Sequence, residues 1–199
     1  MNAAPEAAPP APLLRAFIAA PIPEPVRRAL AEAQERLKQT GLRAAWVAPA
    51  NIHLTLLFLG TIFDPQAEAL AADLDALAAA CPACSLRAEG LGFFGAPRAP
   101  RVIWAGLSGT WQPLEALRGA LVAAARTRGV YTQDLPLAPH LTLARVRSPA
   151  RAAALPEALA AFRGRDFGAL AVDRVLLMKS ALQASGAVYS LLHESRLAG

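Results

Sequence analysis

His53-Leu54-Thr55-Leu56 recurs as His140-Leu141-Thr142-Leu143. The chain of 199 residues holds three histidines, and two of them head this same word in opposite halves. Polar and apolar residues alternating over four positions make the pattern of a half-buried strand, in which residues i and i+2 share a face. His53 and Thr55 therefore project together, and Leu54 and Leu56 pack the other way. His140 and Thr142 stand in the same relation to Leu141 and Leu143. The repetition predicts one site assembled from two related halves.

Outward from these words, strands and helices alternate irregularly. Leu13 to Ala20 reads as a buried strand, broken by Pro21-Ile22-Pro23. A helix is expected over 24 to 39, with Pro25 in its first turn and Gly41 closing it. Leu42 to Ala48 and Ile52 to Leu59 read as strands around the turn Pro49-Ala50-Asn51. Asp64-Pro65 opens a helix to about Ala80. Ser85 to Phe93 and Arg101 to Leu107 read as strands joined by a Gly/Pro-rich loop over 95 to 100. A helix follows from Trp111 to Arg128, then the second motif's strand, Leu137 to Val146, and a helix over 150 to 162. Val172 to Leu182 and Ala187 to Glu194 form a closing hairpin around Ala184-Ser185-Gly186. Several strand-to-strand steps lack a crossover helix, which argues for an α+β fold with antiparallel sheet and helices outside. No linker separates the halves, so residues 13 to 199 are expected to fold as one bilobal domain.

Composition narrows the setting. Hydrophobic residues make up 55% of the chain, enough for a sizeable core. No apolar run is long enough to span a bilayer, and residues 1 to 12 read as a disordered Ala/Pro-rich tail rather than a secretion signal. A cytoplasmic monomer without membrane attachment is expected. Lys and Arg exceed Asp and Glu by a net charge of +5, which suits phosphates and nucleic acid without selecting them. Cys81-Pro82-Ala83-Cys84 has no second Cys/His pair at zinc spacing and reads as incidental thiols at a helix end.

Two imidazole–hydroxyl pairs suit displacement at the phosphorus of a cyclic phosphodiester. One His deprotonates the attacking water and the other protonates the leaving oxygen, while the Thr hydroxyls bind the non-bridging oxygens. That chemistry calls for no metal or other cofactor. A binding module that holds a nucleotide or RNA end without turnover is the alternative from another class. Pure binding would be served as well by Arg and Lys.

At these residues the chain resembles the two-histidine (2H) phosphoesterase superfamily, and within it the RNA 2′,3′-cyclic phosphodiesterases, also called 2′-5′ RNA ligases. The likeness runs from about Leu13 to His193. It includes Arg15-Ala16-Phe17-Ile18-Ala19, Asn51-Ile52 with the first motif and Leu57-Phe58-Leu59-Gly60 after it, Pro139 with the second motif and Ala144-Arg145 after it, and Ser185-Gly186-Ala187-Val188-Tyr189. The resemblance implies a bilobal pseudo-two-fold duplication, with two antiparallel sheets facing a central cleft. It implies hydrolysis of an RNA 2′,3′-cyclic phosphate to a 2′-phosphomonoester, and 2′-5′ joining of tRNA halves by reversal. His53 would be the acid, His140 the base, and Thr55 and Thr142 the phosphate ligands. Cyclic nucleotides and small cyclic phosphates such as that of ADP-ribose remain alternative substrates, because the motifs address phosphate rather than base. Arg145 is a candidate substrate contact that simple alternation puts on the face opposite His140. The same alternation assigns Phe58 to the core. Arg98 and Arg101 read as solvated surface, and His193, which lacks a Thr partner, as structural. Met178-Lys179-Ser180 departs from the aromatic and Arg common there in relatives.

Overall fold

The computed structural model describes residues 13–133, 137–147, 155–183 and 186–199. The N-terminal tail, the first part of the helix expected over 150 to 162, and the Ala184-Ser185 turn lie outside them. Nine strands are described: β1 (Leu13–Pro21), β2 (Ala44–Trp46), β3 (His53–Phe63), β4 (Cys84–Ala96), β5 (Ala99–Gly109), β6 (His140–Val146), β7 (Asp166–Val172), β8 (Arg174–Gln183) and β9 (Gly186–Arg196). The helices are α1 (Glu24–Lys38), α2 (Asp64–Ala79), α3 (Gln112–Thr127) and α4 (Leu155–Ala160). None of them is long and apolar enough to cross a membrane.

The expected α+β architecture is present, and the strand order shows how the lobes join. It runs β7-β4-β5-β6-β3-β1-β8-β9, with β2 beside β6 on the side where β3 meets it, further along the strand. The two motif strands stand side by side at the centre, each backed by three further strands. β3 and β6 pair antiparallel at one register position, Leu54 with Leu141, so the two halves of one nine-stranded sheet meet at matching residues of the repeated word. One lobe combines strands from both ends of the chain, and the other takes β4 to β7 from its middle. β1 lies beside β3 and β8, while the helix that follows it, α1, packs against β7 in the other lobe.

Local signals explain the helices. α1 has Pro25 in its first turn, Glu24 near its positive end, and Arg36 and Lys38 in its last turn. It buries Val26, Leu30, Ala33 and Leu37 along one stripe. α2 starts at Asp64-Pro65, where the Gln66 side chain accepts from the Phe63 N–H at 2.9 Å, and it buries Ala67, Leu70, Leu74 and Ala78. α3 buries Leu114, Leu117, Leu121 and Ala125 at the same spacing and packs on α2 and β3.

Two elements differ from the sequence expectation. The Gly/Pro-rich stretch after Phe93 is mostly strand, because β4 and β5 pair as far as Ala96 and Ala99 around a tight turn. β7 was not expected. It pairs with β4 from Cys84 to Glu89 and buries Phe167, Leu170 and Val172.

The central pair carries no slack, since Leu54 is 1% exposed and Leu141 fully buried. Leu141→Ala is expected to lower unfolding free energy by about 2–5 kcal/mol in urea titration, whereas a change below about 1 kcal/mol would show that the join does not depend on this packing.

Candidate functional site

His53 and His140 open their strands in equivalent positions. Strand regularity breaks at the last residue of each word, in the same way. Thr55 pairs with Ala19 and the next paired residue, Leu57, with Ile18, leaving Leu56 as an extra residue. In β6, Thr142 pairs with Trp104 and Ala144 with Ile103, leaving Leu143 over. Such a bulge turns the following residues by one face. Phe58 thereby pairs with Phe17, on the same face as Thr55, and Arg145 pairs with Val102, on the same face as Thr142.

The assignment of Phe58 to the core is therefore corrected. Its side chain stands in the cleft, 59% exposed, while its neighbours Leu57 and Leu59 are buried. The obstacle to Arg145 is removed by the same geometry. The two residues occupy equivalent positions, an aromatic ring in one lobe and a guanidinium in the other.

Each histidine is fixed by the same hydrogen bond. His53 Nδ1 lies 2.7 Å from the Asn51 carbonyl and His140 Nδ1 lies 2.7 Å from the Ala138 carbonyl. A carbonyl only accepts, so Nδ1 carries the proton in both rings. Nε2 is left to exchange protons with a ligand.

The surroundings are unequal. Phe17 stacks on His53 with ring centres 4.8 Å apart, and Tyr189 meets it edge-on at 5.5 Å. His140 meets only the Phe94 ring among the aromatic contacts of the described residues, edge-on at 4.9 Å. Burial pushes the His53 imidazole below its ordinary 6.5; the Asn51 carbonyl opposes this, and the charge of His140 adds to it. Burial also raises the Tyr189 phenol, against the nearby positive charges of Arg145 and Arg15.

Two cavities flank the meeting of the strands. One, of about 250 Å³, reaches His53 and is walled by Arg15, Phe17, Asn51 and Tyr189. The other, of about 370 Å³, reaches His140 and is walled by Phe94, Val102 and Arg118. They share Thr55, Phe58, Thr142 and Arg145. The cavity that holds His53 and the cavity that holds His140 therefore meet at the two threonines. Gly92 makes room for the Trp104 ring, from which a Cβ would lie 2.4 Å away, and that ring packs beside Phe94 with centres 5.3 Å apart.

Alternation alone did not assign Phe17, Tyr189, Phe58 or Arg15 to the site. The one available signal was the doubled leucine in Leu56-Leu57, where the alternation stops. Away from the cleft, His193 bonds Asp75 at 2.8 Å between β9 and α2. Cys81 and Cys84 are free thiols, and burial raises both.

The chain matches the LigT like Phosphoesterase family over residues 20–104 and 108–189. A curated RNA 2′,3′-cyclic phosphodiesterase of Thermotoga maritima is 31% identical over 192 residues, covering 94% of this chain and 97% of its own. The enzyme of that name from Thermus thermophilus is 33% identical, over 94% and 91% of the two chains. A solved structure from Thermus thermophilus matches with a TM-score of 0.75 at 30% identity, covering 94% of this chain and 99% of its own. Escherichia coli LigT complexed with 3′-AMP matches with a TM-score of 0.72 at 25% identity, over 94% and 99%. The paired motifs, the paired lobes and these matches agree: the chain belongs to the LigT-like phosphoesterase family.

Proposed function

We propose that this protein hydrolyses RNA 2′,3′-cyclic phosphodiester termini to 2′-phosphomonoesters, with His53 and His140 as the proton-transfer groups. The observation that carries this is the pair of cavities that share Thr55 and Thr142 and each end at one histidine. Relatives of the same name and near-equal length support the substrate class.

In-line hydrolysis needs a base and an acid on opposite sides of phosphorus. His140, neutral at Nε2, takes a proton from water as its oxygen bonds to phosphorus. The bond from phosphorus to the 3′ oxygen breaks, and His53 gives that oxygen its proton. A 2′-phosphate and a free 3′-hydroxyl result. The Thr55 and Thr142 hydroxyls donate to the non-bridging oxygens, and the Arg145 guanidinium offsets their charge. Phe58 and Tyr189 offer ring faces and edges for the terminal nucleoside. With a 5′-hydroxyl in place of water the same forward steps, with His140 taking the hydroxyl proton and His53 protonating the departing 3′ oxygen, make a 2′-5′ linkage between two RNA ends.

Burial favours neutral His53 in the empty site, whereas the acid must be charged. A phosphodiester anion against Nε2 restores the proton, because an adjacent opposite charge raises an imidazole pKa. The acid is armed by its substrate.

His53→Ala and His140→Ala are each expected to lower turnover of a 2′,3′-cyclic dinucleotide by about 10²–10⁴-fold at near-native melting temperature, and EDTA should not affect the wild type. Turnover kept by either variant would sink the two-histidine mechanism. The pH profile supplies a second check. The active form holds one proton on the pair, and the pair loses the first of its two protons at the lower of its two pKa values, which lowered His53 places below 6.5 in the free protein. The acid limb of kcat/KM, which reports the free enzyme, is therefore expected below 6.5, with the limb of kcat displaced upward by bound anion. A kcat/KM limb at or above 6.5 contradicts the burial argument.

A further inference from the structure

The bulge at Leu143 is what delivers Arg145 to the cleft, and a buried glutamine from another element sits on it. Gln34, on α1, is 1% exposed. Its Nε2 donates to the Leu143 carbonyl at 2.9 Å and to the Val47 carbonyl at 2.8 Å. The Leu143 carbonyl also accepts from the Val47 N–H at 2.9 Å. At this point β6 parts from β3, which it meets at Leu54–Leu141, and takes up β2 instead, with Trp46 opposite Ala144 and Ala45 opposite Arg145.

A bulge disrupts the ladder locally, and a buried carbonyl left without a donor is costly. The two N–H groups of one amide match the two carbonyls at the fork. An apolar side chain of similar size supplies neither donor, and an ionised carboxylate repels both carbonyls. Gln34 lines neither cavity, and its Nε2 donates to two backbone carbonyls at the fork, that of Val47 and that of Leu143, two residues before Arg145.

We infer that Gln34 is a positioning residue: its side-chain amide holds the Leu143 bulge and thereby keeps Arg145 on the histidine face, facing the substrate phosphate. Without it β6 relaxes toward regular alternation, which carries Arg145 toward the opposite face. This rests on the phosphodiesterase proposed above. The effect falls on binding of the anion rather than on proton transfer, because His140 and Thr142 precede the bulge.

The test is a double-mutant cycle with Gln34→Met and Arg145→Ala, read as KM and kcat on a 2′,3′-cyclic dinucleotide and as affinity for inorganic phosphate. Gln34→Met and Arg145→Ala are each expected to raise KM and weaken phosphate binding roughly tenfold, with kcat falling no further in Gln34→Met than in Arg145→Ala, and the double variant should be no worse than Arg145→Ala alone. A general structural role would lower melting temperature and multiply with Arg145→Ala. That outcome, or an unchanged KM in Gln34→Met, overturns the inference. Should wild-type protein fail to hydrolyse the dinucleotide, the proposed function falls, and the phosphate arm still decides the role of Gln34. Should Gln34→Met not fold, hydrogen exchange of the Gln34 side-chain amide in the wild type decides. Slow exchange is expected for two buried bonds, and exchange at the rate of an exposed amide overturns the inference.

Discussion

Everything at the cleft depends on the backbone pairing of Leu54 with Leu141. Both leucines follow the histidine of their motif, so antiparallel pairing at that register puts the two His-x-Thr words in equivalent places on either side of a pseudo-two-fold. Side chains alternate along each strand. Burying the leucines against the helices therefore sends both histidines and both threonines the other way, into one cleft. A shift of one residue would turn a whole motif inward. The core packing on one side and the chemistry on the other are thus set by the same constraint.

The two words are identical, but their settings are not, and the difference begins at the bulges. In each strand one extra residue, the last of the motif, redirects the next side chains into the cleft, which receives Phe58 from one lobe and Arg145 from the other. A ring and a cation suit the two parts of a nucleotide. Phe17 and Tyr189 close around His53, whereas His140 meets the edge of Phe94. Burial then separates the two proton-transfer groups that their sequence makes alike.

Much of this was legible in the residues. Alternation in His53-Leu54-Thr55-Leu56 and its copy assigned both faces correctly, and Pro25, Pro65 and Pro113 sit at the starts of the three long helices. What alternation does not record is a bulge, since one inserted residue leaves composition and spacing ordinary while reversing every later parity. Phe58 was assigned to the core for that reason, and the position of Arg145 depended on the same unrecorded feature. β7 went unread because its apolar set, Phe167, Leu170 and Val172, is spaced irregularly around Gly168 and acquires meaning only beside β4. Gln34 reads as one polar residue on an amphipathic helix. Its role becomes visible only when Val47 and Leu143, distant in the chain, bring their carbonyls to it.

The central claim is that one phosphate is held by both motifs at once, with an imidazole on each side. A crystal structure of the protein with a 2′-nucleotide tests it most directly. The account predicts a single phosphate accepting hydrogen bonds from Thr55 and Thr142, with Nε2 of His53 and Nε2 of His140 both in hydrogen-bond reach from opposite sides. A phosphate bound to one motif alone, with the other histidine out of reach, would contradict it.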